Sequence, residues 1–307
     1  MPSSHTATRE NLRGVGFGFG AYFIWGLFPL YWKPLFAVSP LEILCHRVLW
    51  SALLLVGLVS YLGQGHAVRQ ALRQPRVLGL FAASALCLSL NWLLYIWAVG
   101  HGQVLESSLG YFITPLMNVL LGALVLGERL GRLQTAAVAL AAAGVAWLTL
   151  LVGAFPWVAL GLAVSFSLYG LLRKTAALAS LEGLTLETLM LCPLALAGLA
   201  WFGIRGSSGF ISGAPLQQLL LAGSGVVTTI PLLMFAGAAR RLKLATIGLI
   251  QYISPTLQFM LGLWVFHEPF DSKRLGGFVL IWIALALYSA AGLYQYRRAR
   301  LAQGSLL

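Results

Sequence analysis

Long apolar runs separated by short polar ones dominate this chain. Windows of mainly apolar residues fall near 15–33, 41–62, 77–99, 104–126, 132–151, 156–173, 184–203, 215–238, 244–266 and 275–295. Each approaches the ~20 residues that a helix needs to cross ~30 Å of hydrocarbon. The runs are continuous rather than alternating, which predicts a helical bundle and not a β-barrel. Connections are short, and several hold Gly or Pro (Gly63-Gln64-Gly65, Gly153 to Pro156, Gly206 to Gly213). The expected fold is an all-α integral membrane protein of ten transmembrane helices.

Composition agrees. The 307 residues would suggest about two soluble domains, but 59% of them are apolar and only 9% charged. A soluble domain carries about 25% charge, and eight acids cannot cover the surface of a globule this size. The net charge of +12 would fit a nucleic-acid binder if it were spread over one face. It sits instead in clusters between the apolar runs, as expected of cytoplasmic flanks. With the N-terminus inside, one side holds Arg9, Arg13, Arg69, Arg73, Arg76, Arg129, Arg132, Arg173, Lys174, Arg240, Arg241, Lys243, Arg297, Arg298 and Arg300. The other holds Lys33, Arg205, Lys273 and Arg274. Both termini are therefore expected in the cytoplasm, with tails at 1–14 and 297–307. The first apolar run is too long for a signal peptide and lacks a small-residue cleavage site, so it reads as an uncleaved helix. Cys45, Cys87 and Cys192 lie in apolar runs without CxxC spacing and read as packing residues, so no metal site is expected.

Sliding the chain against itself gives a match at an offset of 140. Residues 109–115 (LGYFITP) lie over 249–255 (LIQYISP), and Asn118, Gly122, Val125 and Glu128 meet Gln258, Gly262, Val265 and Glu268. Each half, 15–151 and 152–296, would hold five helices, an odd number, so the second copy would enter the membrane upside down. Inverted repeats are a transporter device, since exchanging the conformations of the halves turns a cavity from one side to the other.

The candidate chemistry follows from these repeats. Pro115 and Pro255 lie deep in the fourth and ninth windows, where each would free a carbonyl. Tyr111, Thr114, Pro115 and Asn118 share one helical face, and Gln251, Ser254, Pro255 and Gln258 share the matching one. These stripes are either the walls of a midplane cavity or hydrogen-bond glue between helices. Asn91, Trp92 and Tyr95 in the third span, Trp25 in the first and Tyr169 in the sixth are further candidates to line a site for flat or amphipathic solutes. In the second span, Glu42 and His46 are one turn apart and Arg47 follows. They read either as an anion contact with a proton relay or as a structural ion pair of Arg47 with Glu42 or Glu106. A Glu42→Gln change would blunt any dependence on a pH gradient if the relay holds. Glu187, opposite in position to Glu42, is a candidate gate anchor, and Glu128 and Glu268 are expected to cap or tether helix ends.

The glycine run from Gly14 to Gly20 lacks the Lys-Ser/Thr and the preceding strand of a phosphate loop. No HExxH, GxSxG or hydrolytic acid pair is present. No cofactor and no enzymatic activity are expected, and transport would draw on a gradient or exchange.

These segments resemble the drug/metabolite transporter superfamily, in particular the RarD branch of the EamA-like permeases, over nearly the whole chain. Glu42 through Arg47 with Trp50-Ser51, Asn91 through Trp97, Ser108 through Phe112 with Pro115, and Gln251-Tyr252 through Gln258 carry the resemblance, with Gly127-Glu128-Arg129 and His267-Glu268-Pro269 at helix ends. Thr114 and Gly100 depart from it, each standing where the branch has Asn. The resemblance implies two inverted EamA repeats, alternating access in a bacterial inner membrane, and export of small amphipathic or aromatic metabolites or drugs. Tyr252 joins the candidate substrate residues on this basis. Partners are then a small solute, membrane lipid and protons as a coupling ion, with no nucleic acid. A lipid-handling, flippase-like role is the alternative.

Overall fold

The computed structural model of the chain describes residues 4–126, 131–150, 153, 155–174, 176–239, 241–242 and 250–304. Helices form nearly all of it, and no strand occurs among the described residues. They are α1 (Ser4–Gly26), α2 (Phe28–Trp32, running into a 3-10 turn at Lys33–Leu35), α3 (Pro40–Tyr61), α4 (Gly65–Ala71), α5 (Pro75–Gly100) and α6 (Val104–Leu126). There follow α7 (Arg132–Leu150), α8 (Trp157–Lys174), α9 (Ser180–Ile204), α10 (Pro215–Ala239), α11 (Ile253–Trp264) and α12 (Ser272–Gly304).

Local chemistry sets many of these boundaries. Pro40, Pro75 and Pro215 open their helices, where a missing N–H costs nothing. Gly63, Gly102 and Gly206 follow α3, α5 and α9 with φ of 69°, 67° and 65°, the left-handed turn that ends a helix and suits glycine.

Among the described residues, seven helices are long and apolar enough to cross a membrane, and the pair α1–α2, bent by 43°, counts as an eighth. Two windows expected to span do so less fully. α8 has 18 residues and α11 has 12; part of the ninth window, 244–249, lies outside the described residues, as does Glu128. Pro115 lies inside α6 as its position predicts. Pro255 does not interrupt a continuous helix. Residues 251–252 form a turn, Tyr252 is the N-cap, and Pro255 sits in the first turn of α11, where its absent N–H has no carbonyl to serve.

The bend between α1 and α2 has an identifiable cause. Pro29 lacks the N–H that would reach the carbonyl of Trp25 four residues back. The side chain of Gln258 supplies a donor instead, its Nε2 lying 3.1 Å from that oxygen.

The bundle is assembled from the helix pairs α7–α12, α6–α8, α3–α9, α3–α10, α1–α10, α5–α8, α6–α11 and α1–α11, with a lesser contact between α5 and α9. Large side chains left outside, among them Leu53, Leu90, Leu124, Leu194, Leu219 and Ile283, are apolar, as a lipid-facing surface requires. Lipid tails are as apolar as the helices, so close approach rather than the hydrophobic effect has to hold them together. The α7–α12 crossing is built that way. A Cβ on Gly144 would lie 3.0 Å from the carbonyl oxygen of Gly277, and one on Gly277 would lie 3.1 Å from that of Gly144 and 2.5 Å from Leu148 Cγ. The α6–α8 pair repeats the device, with Gly110 against the backbone of Ala159.

Gly277→Leu should therefore destabilise the bundle by about 1–3 kcal/mol, the usual cost of overpacking. Thermal unfolding in detergent should show a midpoint several degrees lower. Gly79→Leu, in open space on α5, is the control; equal midpoints for the two variants would refute close packing at this crossing.

Candidate substrate site

Four buried or half-buried acids, Glu42, Glu106, Glu187 and Glu268, are committed to backbone or neighbours. Glu42, wholly buried near the start of α3, accepts from Ser208 Oγ at 2.8 Å, Gly209 N at 2.9 Å and Phe210 N at 3.2 Å. It thereby holds the loop between α9 and α10. His46 lies one turn on, its Nε2 3.9 Å from Glu42 Oε1. Trp50 Nε1 donates to His46 Nδ1 at 3.3 Å, which leaves the ring proton on Nε2, toward Glu42. The Phe210 ring packs on the imidazole at 4.7 Å.

At the other end of α9, Glu187 is also wholly buried. It accepts from Ser84 Oγ of α5 and pairs with Arg173 Nη1 of α8 at 3.7 Å, with the Tyr169 hydroxyl beside it. Glu106 accepts from Val158 N at 3.3 Å and so caps α8. Glu268 caps α6 through Val104 N at 2.6 Å and Leu105 N at 2.8 Å, as a helix N-terminus with four free N–H groups invites. His267 before it adopts φ 51°, a left-handed conformation that costs a residue with a Cβ ~1–2 kcal/mol and turns Glu268 back onto α6. Burial holds the Glu268 carboxyl above its usual range, and the two amides pull the other way. Exposed Asp271 accepts from Lys273 N, which lowers its carboxyl, and so caps α12.

Arg47 is different. It sits two turns into α3, 3% exposed, and no carboxylate pairs with it among the described residues. Neither of the expected partners, Glu42 or Glu106, is engaged with it. Its guanidinium Cζ lies 4.0 Å from the ring centre of Trp92, 5.4 Å from Trp32 and 5.6 Å from Phe28. Tyr31, Tyr95 and Tyr111 are within electrostatic reach. Desolvated cation–π contact is worth roughly 2 kcal/mol, against ~2.5–3.5 kcal/mol for placing an arginine at the centre of a span. The rings thus offset much of the cost of burial but leave the hydrogen bonds unmade. Nε and Nη1 of Arg47 are buried without a partner.

The other candidate residues divide between this centre and the helix contacts. Tyr95 and Tyr111 pack together at 5.8 Å, and Tyr111 leads to Phe166 and on to Tyr169. Trp25 packs with Tyr22 and Phe235. Asn91 ties α5 to α8, donating to Leu162 O and Ser165 Oγ at 3.0 Å each. Thr114 returns its hydroxyl to Gly110 O, four residues back in the same helix, while Ser167 of α8 donates to Thr114 O at 3.3 Å. Ser254 accepts from Gln258 at 3.3 Å, so both join the α1–α11 tie. Tyr252 packs into the aromatic cluster of Phe112, Phe278 and Tyr288 rather than around Arg47. Asn118 is exposed and Gln251 half-buried. Phe28, Tyr31, Arg173 and Ser208 escaped the sequence reading as site residues. Trp32 was readable with Trp25 as an aromatic of the first span, and the one-turn spacing of Phe28 and Trp32 was the signal for Phe28.

The EamA-like transporter family model matches residues 12–150. The "Uncharacterized transporter YojE" of Bacillus subtilis is 47% identical over 284 residues, covering 91% of this chain and 94% of that protein. The "Protein RarD" of Salmonella typhimurium is 45% identical over 292 residues (94% and 99%), and the "Chloramphenicol-sensitive protein RarD" of Pseudomonas aeruginosa is 34% identical over 282 (90% and 93%). A solved crystal structure shares the fold with a TM-score of 0.58 at 21% identity, covering 91% of this chain and 98% of that one. With full-length relatives at this identity and a bundle of apolar helices around a buried polar centre, the chain belongs to the EamA-like transporters of the drug/metabolite transporter superfamily, in the RarD branch, and is a multi-pass membrane transporter.

Proposed function

We propose that the protein is a secondary active carrier that works by alternating access and exports small amphipathic or aromatic solutes across a bacterial inner membrane. In this reading it has ten spans in two five-helix repeats, 15–151 and 152–296, of opposite topology, and both termini are cytoplasmic. The observation that carries the reading is the way the helices pair. Count α1–α2, α3, α5, α6 and α7 as spans one to five, and α8 to α12 as six to ten. Exchanging each span with the one five places away maps α3–α9 and α7–α12 onto themselves. The same exchange turns α6–α8 into α11–α1, α3–α10 into α9–α5, and α1–α10 into α8–α5. Pairing that maps onto itself in this way supports two arrangements related by exchange of the repeats, which is what alternating access requires.

The carboxylates fit that scheme as latches. Glu42 of the second span holds the α9–α10 loop at one end, and Glu187 of the seventh holds α5 and α8 at the other. Release of one latch while the other holds would open the bundle toward one side or the other. Glu42 with His46 is also the titratable pair best placed for proton coupling.

In proteoliposomes the protein should show saturable counterflow of an aromatic solute, measured with a labelled panel of aromatic amino acids, nucleobases and chloramphenicol. Folded protein that moves no solute under any imposed gradient would end the carrier reading.

Glu42→Gln keeps the volume but turns an amide donor toward Gly209 N. Hydrogen bonds to charged groups are worth ~1.5–3 kcal/mol each, so counterflow should fall by about 10- to 100-fold. Amide exchange at 208–211 should speed up in parallel. Unchanged exchange and transport would remove Glu42 as a latch, and a full pH-gradient response in this variant would remove it from coupling.

A further inference from the structure

The neighbourhood of Arg47 has one chemical bias. Its buried polar atoms without a partner all carry a proton to donate: Nε and Nη1 of Arg47, Nε1 of Trp32 and the hydroxyl of Tyr95. The three residues are 3%, 1% and 3% exposed. Tyr31, another phenol near the guanidinium, already gives its proton to Leu220 O. Indole N–H and guanidinium N–H cannot accept, so these groups cannot all satisfy one another. The Tyr95 oxygen alone among these atoms can accept, so the cluster is short of acceptors, and its charge lacks a counter-ion.

Four acids that the sequence reading singled out are committed elsewhere. Glu42, Glu106, Glu187 and Glu268 are held by loop, helix end, Arg173 and helix end respectively. Asp271 caps α12 at the surface.

We propose that the Arg47 cage is a binding site for a single anionic group carried on a flat apolar frame, and that an aromatic monocarboxylate is the class of solute it takes. Two carboxylate oxygens offer four lone pairs in the plane that a guanidinium fork matches, enough for the two arginine donors, the indole and the phenol. The ring faces of Trp92, Trp32 and Phe28 already cover the cation, and stacked or edge contacts with them and with Tyr95 and Tyr111 suit a planar body. A neutral solute would leave the charge uncompensated, and a cationic one would add a like charge to it. The same donors would also accept a lipid phosphate, and the choice of bilayer separates the two sources. The inference deepens the carrier reading and depends on it only for the steps after binding.

Binding is measured in nanodiscs of zwitterionic lipid by competition and thermal shift, with matched acid and amide pairs: phenylacetate and phenylacetamide, indole-3-acetate and indole-3-acetamide, cinnamate and cinnamamide. Each acid should bind about 10- to 100-fold more tightly than its amide, the range for gaining a charge-assisted bond. Arg47→Gln should abolish the preference, so that acid and amide of each pair bind alike. Arg47→Lys, which keeps the charge but not the fork, should retain part of it and guards against a Gln variant that does not fold. No acid preference in any pair, or a preference that survives in Arg47→Gln, overturns the proposal. So does a preference that disappears in nanodiscs containing phosphatidylglycerol, which would assign the cage to a lipid headgroup. Acid binding without counterflow would refute the carrier reading and leave the anion site standing.

Discussion

Hydrocarbon offers no hydrogen bonds, so every polar group inside this bundle has to be answered by another part of the chain. Much of the architecture follows from that constraint. Pro29 orphans the carbonyl of Trp25 and Gln258 reaches across from α11 to meet it. The free amides at the start of α6 and α8 are met by Glu268 and Glu106. The loop amides at 209–210 are met by Glu42. Each answer also joins two segments distant in sequence, so the devices that satisfy the backbone are the devices that hold the helices in register. Other buried polar atoms also lack a partner, but the unanswered donors around Arg47 stand apart because they gather about a charge with no carboxylate beside it.

Much of this was legible in the sequence, and the limits have physical causes. Hydrophobic runs report burial in lipid, and they locate α3, α5, α6, α7, α9 and α10 to within a few residues; α12 runs on to Gly304, nine residues past its window and into the expected tail, because a basic polar stretch can continue a helix beyond the lipid. They cannot report helix continuity, which is why the ninth window hid a turn at 251–252 and a helix beginning at Ile253. Glu42 and His46 were readable as neighbours because one helical turn separates them. The loop that claims Glu42 was not, since Ser208, Gly209 and Phe210 belong to a segment with no periodicity and act largely through backbone amides. For a related reason Thr114 read as either a cavity residue or a tie between helices. Its type and face were known, but its own helix offered a carbonyl four residues back. Arg47 was visible as an anomaly, yet only the fold gathers Phe28, Trp32 and Trp92 from two other helices around it.

Small and aromatic residues divide the mechanical roles. Where glycine lies at a crossing, as at Gly144 and Gly277, the backbones meet directly, and the contact behaves as a rigid seam. The aromatic residues form two groups, one between α1, α5, α6, α8 and α10 and one joining α6, α11 and α12, where rings can slide and tilt with little loss of contact.

The carboxylate of Glu268 has a consequence for biogenesis. It lies 164 residues downstream of Val104, whose amide it receives, and Ser208 lies 166 residues beyond Glu42. When the ribosome has delivered only the first half, α6 enters the bilayer uncapped and Glu42 waits without its loop. The early helices must therefore be sheltered, by water at the interface or by the insertion machinery, until the late ones emerge. A chain truncated at its midpoint would be left with exposed ends that only its missing half can close.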